Sequence, residues 1–463
     1  MKLDKEYIKE KGAKVWKTIR IDDGYLSEEY ETKPIPKDKR KKTWIMGFIM
    51  LGFSLFSATA IIGFTTTAGL LEGGHGFSSI LVTVIVGNLI LTVYICLLSF
   101  IGAEEGLSTH QLSTKVFGKH GIKITSSVTM IAQLGWFGVG IMMIVTPLTG
   151  MITVWTNMDN SGAGFIALKW VMIIVIGFFM TFTAYYGIKS LTIVSIIVVP
   201  LIIIAGIATI AIAGIDGPNP ESGSDWEGGS TTTMAGIGLV FAAFASGGTL
   251  CPDFVRWAKD GKSAVLVTCI AFFFGSILMF LFGSAIYFIF ASGTHILAAL
   301  GSVSVALLVI GILVLIGNIW TTSDNGLYTQ AMALSSTAGT KKKVNVIVLG
   351  ILGTLLSPLI FAHFIPFLNI LNLLLPGIGT LICLNYFWHK EDKSDVSHSW
   401  IAIWSWFLGF VSAFIVNLVF PFILPLYVMI FTAFLFIIMK QGNAQELRWQ
   451  EKKLKKSDNI KDE

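Results

Sequence analysis

Apolar runs of about 20 residues recur along this chain from Trp44 to Met439, each long enough to cross the ~30 Å hydrocarbon layer of a bilayer. A water-soluble fold of 463 residues needs charged surface along its whole length. Here only 13% of residues are charged, about half the ~25% of an ordinary soluble domain. The runs read as twelve crossings, at roughly 44–71, 78–101, 126–154, 166–186, 191–215, 231–250, 265–291, 303–336, 344–362, 365–387, 400–419 and 421–439. The fold class expected is therefore an all-α polytopic membrane protein with 12 transmembrane helices.

The charges give an independent reading of topology, because Lys and Arg near a bilayer mark its cytoplasmic face. Lysines and arginines concentrate in residues 1–43, in the tail from Lys440 onward, and in every second loop, such as Lys115, Lys119 and Lys123 or Lys341, Lys342 and Lys343. Of 33 such residues only Lys169 lies near a loop on the other side, where Asp159, Asp216, Glu221, Asp225 and Glu227 sit instead. An odd number of crossings scrambles this pattern, so both termini are expected in the cytoplasm, in a bacterial inner (plasma) membrane. Residues 1–43 lack an apolar stretch of the kind found in a cleaved signal peptide. The net charge of +5 belongs to these loops and tails, so no nucleic-acid partner is implied. The four cysteines, Cys96, Cys251, Cys269 and Cys383, show neither zinc spacing nor a disulfide framework.

Helix breakers inside a span need an explanation, because each backbone polar group in lipid needs a partner. The first span carries Ser54, Ser57 and Thr59 between Gly52 and Gly63; the sixth carries Ser246, Gly247 and Gly248 before Pro252. Small residues such as these also permit close helix packing. The two spans, however, lie five helices apart, at matching positions of two halves that would have opposite orientation. Interrupted helices so placed mark the central site of a transporter. Unwinding exposes carbonyl oxygens suited to a hard cation and helix ends that orient a polar solute.

Two further spans supply side chains for such a site. QLGWFGVG (133–140) sets Gln133, Trp136 and Phe137 among glycines; an indole here can stack on a flat solute or simply pack. In GNIWTTSDNGLY (317–328), Asn318, Thr321, Thr322 and Asn325 share one helix face. That much polarity calls for a cavity or a partner, although Thr hydroxyls can also bond back to their own helix. Asp324 reads as an interfacial charge near the cytoplasmic end rather than a pathway charge. The seven histidines, mostly in loops or at span ends, show no metal spacing, and no acid–base constellation suggests an enzyme.

LGFSLFSA (51–58), GLSTHQL (106–112), QLGWFGVG (133–140), SGGTLCPDFVRWAKDGKSAVLV (246–267) and NIWTTSDNGLY (318–328) resemble, in order, segments of the cytosine permease branch of the nucleobase–cation symporters. The resemblance spans roughly residues 44–390. It implies a leucine-transporter-type 5+5 inverted repeat plus two C-terminal helices: a cytoplasmic tail over 1–43, a first repeat over 44–215, an inverted second repeat over 231–387, two added helices over 400–439, and a cytoplasmic tail over 440–463. It further implies Na⁺-coupled import of cytosine or a related nucleobase by alternating access. A second option is another ring solute, such as a hydantoin, allantoin or a vitamin-precursor pyrimidine, with H⁺ as coupling ion.

Carried over by motif, the Na⁺ ligands are the carbonyls of Phe56, Thr59 and Asn318 and the hydroxyls of Thr321 and Thr322. The base lies between Trp136 and Phe244, with polar contacts from Gln133, Asn318 and the backbone near Ala243 and Gly247. No cofactor beyond the coupling ion is implied, the surrounding partner is membrane lipid, and a monomer suffices. Two positions depart from the family pattern: AAFASGG (242–248) puts Ala243 where the family has Ser, and TTSDN puts Ser323 where it has Asn. Both bear on which ring is accepted.

Overall fold

A computed structural model describes residues 33–159, 162–186, 200–204, 206–207, 229–289 and 305–459. The expected fifth span (191–215) and the acidic loop after it lie largely outside the described residues. Among the described residues, sixteen α-helices follow one another: α1 Thr43–Ser54, α2 Ser57–Glu72, α3 Phe77–Glu105, α4 Thr109–Phe117, α5 Ile122–Thr156, α6 Ala163–Tyr186, α7 Thr233–Ala242, α8 Ala245–Thr249, α9 Cys251–Val255, α10 Gly261–Cys269, α11 Ile277–Ile289, α12 Val305–Ala338, α13 Lys342–Ala362, α14 Phe364–Leu384, α15 Trp400–Val419 and α16 Leu424–Asn459. A π-helical segment, Ile270–Ser276, joins α10 to α11. No β-strand occurs among the described residues beyond an isolated bridge between Lys41 and Ala258.

Eight of the described helical spans are long and apolar enough to cross a membrane, and α1 with α2 form a ninth, bent by 45°. The outward faces explain why lipid must surround them. Phe178, Phe179 and Phe182 are exposed on α6, as are Ile351, Leu352, Leu355 and Leu359 on α13. Such apolar surface is stable only against hydrocarbon. The helix expected to stop near Met439 continues as α16 to Asn459.

Helix ends and crossings follow local chemistry. Gly106 ends α3 in the left-handed region, at φ 66°, where a Cβ is disfavoured. Ser108 and Gln111 then form a capping box that starts α4. The α2–α11 crossing is very close. A Cβ added at Gly283 would collide with the Ala60 carbonyl oxygen, and one at Gly63 with that of Phe280. Gly63 is thus a packing residue, not part of the break the sequence suggested around it.

On the loop side, residues 33–42 are strapped across neighbouring helix ends. Ile35 N donates to Gly106 O at 2.9 Å, Lys41 N to Trp257 O at 2.7 Å, and Arg40 Nη1 to Ala103 O at 2.6 Å. The last bond supplies a cation to the C-terminal end of α3.

Candidate functional site

The first span does break, at Leu55–Phe56 between α1 and α2. A side chain from far along the chain occupies the gap. Asn318, on α12, accepts at Oδ1 from Ser57 N (2.7 Å) and Ser57 Oγ (2.8 Å), and donates through Nδ2 to Leu55 O at 2.9 Å. One carboxamide therefore reaches both sides of the interruption, giving partners to Leu55 O and Ser57 N where two buried residues leave the helix.

The sixth span breaks twice, at Ala243–Phe244 and at Leu250, giving α7, α8 and α9. Gly247 and Gly248 do not form the breaks. They lie inside the short α8, where they admit neighbours: a Cβ on Gly247 would meet Phe53 Cζ at 2.8 Å, and one on Gly248 would meet Ile95 Cγ1 at 2.7 Å. Local turns close this interruption together with a bond from α4, in which Thr109 Oγ1 donates to Thr249 O at 2.9 Å. Phe244 N donates to Phe241 O (3.2 Å), Gly248 N to Phe244 O (2.6 Å) and Leu250 N to Ser246 O (2.9 Å).

Aromatic rings fill the space between the two interruptions. Trp136 meets Phe56 edge-on at 5.8 Å between centroids, and Phe56 meets Phe244 at 6.5 Å. Phe364 and Phe367 of α14 pack edge-on against the indole at 6.1 and 5.8 Å, and Phe272 meets Phe244 perpendicularly at 5.0 Å. Trp136 and Phe244 do converge, but the Phe56 ring touches both, so a flat solute between them must displace or lie against that ring. Trp136 is buried, and its Nε1 has no hydrogen-bond partner. A buried unpaired donor is costly, so this N–H is available to a polar ligand.

The remaining expected residues fall as follows. Gln133 Oε1 lies over Gly326 of α12, in the space a Cβ there would need. Ser323 is buried against Gly140 of α5, its hydroxyl unpartnered. Ala243 is buried at the first interruption of the sixth span. Of the expected cation ligands, Phe56 O accepts from Thr59 N at 3.0 Å, and Thr322 Oγ1 donates to Asn318 O at 2.9 Å. The second bond is the back-bond to its own helix that Thr favours; it uses the hydroxyl proton and leaves the oxygen lone pairs for a cation. The side chains of Thr321 and Asn325 lie outside the described residues. Asp324 is not an interfacial charge: it is fully buried, facing Thr183 of α6.

The sequence profile described as a permease for cytosine/purines, uracil, thiamine and allantoin matches residues 34–436. This chain belongs to that permease family. A cytosine permease of Escherichia coli K12 is 31% identical over 390 residues, covering 81% of this permease and 86% of the relative. Among solved structures, the inward-facing conformation of Mhp1 superposes with a TM-score of 0.71 at 16% identity, covering 91% and 94% of the two chains. Mhp1, a nucleobase-cation-symport-1 family transporter, in a closed conformation with bromovinylhydantoin bound gives 0.70 at 17% identity, covering 91% and 96%. A Na⁺-coupled sialic acid symporter gives 0.59 at 14% identity, covering 92% and 94%. The permease is a multi-pass membrane transport protein, not an enzyme, with the helical fold these structures share.

Sequence reasoning named Phe56 only for its carbonyl and missed its ring, along with Phe364, Phe367 and Ser57 as members of the site. The phenylalanines carry no distinguishing signal in a chain with 34 of them. Ser57 stood within the small-residue cluster of the first span, but its partner lies 261 residues away.

Proposed function

We propose that this permease imports cytosine or a closely related nucleobase by alternating access, coupled to Na⁺. The observation that carries the reading is the carboxamide of Asn318 bridging the α1–α2 interruption beside the rings of Phe56, Trp136 and Phe244. An unwound backbone, an anchored amide and a buried, unpaired indole N–H together suit a small ring with both a π-face and polar edges. The same arrangement offers Phe56 O, Asn318 O and Thr322 Oγ1 as oxygen ligands of the kind Na⁺ needs. We assign substrate contacts to Gln133, Trp136, Ala243, Phe244, Gly247, Asn318 and Ser323, and cation contacts to Phe56, Thr59, Asn318, Thr321 and Thr322.

In this reading there are twelve spans, two inverted sets of five followed by α15 and α16, with both termini cytoplasmic, and one copy of the chain contains the whole site. Ala243 supports a second substrate class. A methyl group where the family has Ser removes a polar contact, which favours rings lacking the matching group, hydantoins and allantoin among them. The test is uptake of radiolabelled cytosine into vesicles holding the purified permease, with and without Na⁺, in competition with adenine, hypoxanthine, uracil, allantoin and a hydantoin. Saturable uptake that needs Na⁺ and yields to cytosine first supports the reading. Uptake that ignores Na⁺, or yields to allantoin or hydantoin before any nucleobase, overturns it.

A further inference from the structure

Away from the site, α3 and α10 enclose a groove of about 530 Å³ on the lipid-facing surface. Leu89, Val93 and Leu97 of α3 stand exposed along it, as does Cys269 of α10. Its inner lining is small: Thr92 is buried, and Cys96 and Val265 are half-buried. Small side chains flanked by large ones leave a channel where interdigitation would otherwise close the seam. The lining residues of α3 recur at helical spacing from Leu89 to Phe100, so the groove follows one face of that helix. At ~1.5 Å per residue it runs for ~16 Å. One leaflet, half of a ~30 Å hydrocarbon layer, is about as deep.

Towards Glu105 the groove ends at Phe100 and Phe387, whose rings stack at 6.1 Å. Phe387 belongs to the π-helical segment Asn385–His389, and the exposed Trp388 beside it suits the membrane–water interface. Gly261, at the start of α10, lies at this end. Its N–H donates to Glu104 Oε1 at 2.8 Å, and a Cβ there would meet the Phe100 ring at 2.7 Å. The next residue, Lys262, is exposed and shares one face of α10 with Val265 and Cys269. The carboxylates around it already have donors: Glu105 has Lys115 at 2.9 Å, and Asp260 accepts from Ser263 N at 2.7 Å. Against Asp260, Lys259 and Lys262 leave this end of the groove with a positive balance.

Further from Lys262 the groove is lined by Phe273, in the π-helical segment Ile270–Ser276. Its neighbour Phe272 meets Phe244 of the sixth span at 5.0 Å. In the same segment, a Cβ on Gly275 would lie 2.8 Å from Oγ of Ser54, the last residue of α1. One short segment thus adjoins the groove on one side and both interruptions on the other.

We propose that this groove holds one acyl chain of an anionic phospholipid, with the phosphate set against Lys262. Lipid tails are as apolar as Leu, so no hydrophobic gain draws a chain from bulk lipid. Residence comes instead from close contact along the groove and from the charge at its polar end. That charge favours phosphatidylglycerol, which carries a net negative headgroup, over zwitterionic phosphatidylethanolamine. A seated chain braces Phe273 and, through the π-helical segment, the Phe272 ring at the site. Lipid binding here is independent of which ring solute the permease carries.

Native mass spectrometry of the full-length permease, released from nanodiscs of equal phosphatidylglycerol and phosphatidylethanolamine, tests the proposal. The wild type is expected to retain one phospholipid, with phosphatidylglycerol in excess. Cys269→Phe puts a ring into the groove and should strip that lipid. Leu355→Phe, on the exposed face of α13, should leave it in place. Lys262→Gln should keep a lipid but lower the preference for phosphatidylglycerol roughly fivefold, the worth of one lysine at an anionic surface. If Cys269→Phe does not fold, Val265→Phe is read in its place. A wild type that retains no lipid, or a groove-filled variant that retains as much, overturns the acyl-chain site. Equal retention of the two lipids by the wild type, or an undiminished preference in Lys262→Gln, overturns the assignment of the headgroup.

Discussion

The first and sixth spans are both interrupted at mid-course, yet they are held by different means. The α1–α2 interruption depends on one amide from α12, whose three hydrogen bonds reach across 261 to 263 residues of sequence. The α7–α8–α9 interruption combines its own turns, glycines that let Phe53 and Ile95 approach, and hydrogen bonds of Thr249 with Thr109 and Tyr94. Two breaks that look equivalent in a sequence thus differ in what can undo them. One is vulnerable at a single distant residue, and the other spreads its support over local turns, close packing and two distant partners of Thr249.

Asn318→Ala puts the greatest strain on this contrast. It leaves Leu55 O and the Ser57 N–H and hydroxyl unpaired in a buried gap, at a cost of ~3–5 kcal/mol for the group. A large fall in melting temperature and loss of uptake are expected, and a stable, active variant would show that the first break does not depend on α12. Trp136→Ala comes next. Its indole touches Phe56 of one break directly and Phe244 of the other through that ring. Aromatic stacking on a base is worth ~1–3 kcal/mol, so cytosine binding should weaken roughly 5- to 150-fold, read by equilibrium binding.

Gly248→Ala probes the second break. Its methyl would meet the fully buried Ile95 at 2.7 Å, and overpacking of this kind costs about 1–3 kcal/mol. Here the expected loss is in stability, and a variant as stable as wild type would mean that α8 has room to shift. Thr322→Ala should raise the Na⁺ concentration for half-maximal uptake, with Thr322→Ser restoring it, because Ser returns the oxygen; unchanged Na⁺ dependence in the Ala variant removes Thr322 from the cation site.

The smallest effect at neutral pH is expected at His110 of α4, outside the spans and away from both breaks. Burial pushes its imidazole down to about 4, and its Nδ1 meets Ser126 Oγ at 3.1 Å. The folded permease therefore holds it neutral while an unfolded chain protonates it near pH 6.5. Its contribution is complete above about pH 6.5 and is lost as pH falls towards 4. Melting curves of wild type and His110→Gln should run parallel above that upper limit, and the wild type should lose stability faster below it. Curves that stay parallel through the whole acid range would place a water at this ring.

Much of this molecule was legible in one dimension because the bilayer imposes a one-dimensional rule. A run of apolar residues either is or is not long enough to span, so α3, α5, α6 and α13 to α16 could be read directly, as could the presence of interruptions in the first and sixth spans. Trp136 and Phe244 were marked by motif because each lies in a long, specific segment, and the fold sets both rings against Phe56. Contacts made across spans became visible only in three dimensions. The glycines of the sixth span looked like the hinge and proved to be packing sites, because whether a glycine bends a helix or admits a neighbour depends on what lies opposite. Phe56 was one phenylalanine among many until its ring was found against Trp136. Asp324 looked interfacial by its distance along α12, but burial is set by the helices that surround a residue, and α6 covers it. Asn318 was marked by polarity in an apolar span, a signal the sequence carries; that its amide closes the gap at Leu55–Phe56 could be seen only where the chain, folded, brings Asn318 back to Ser57.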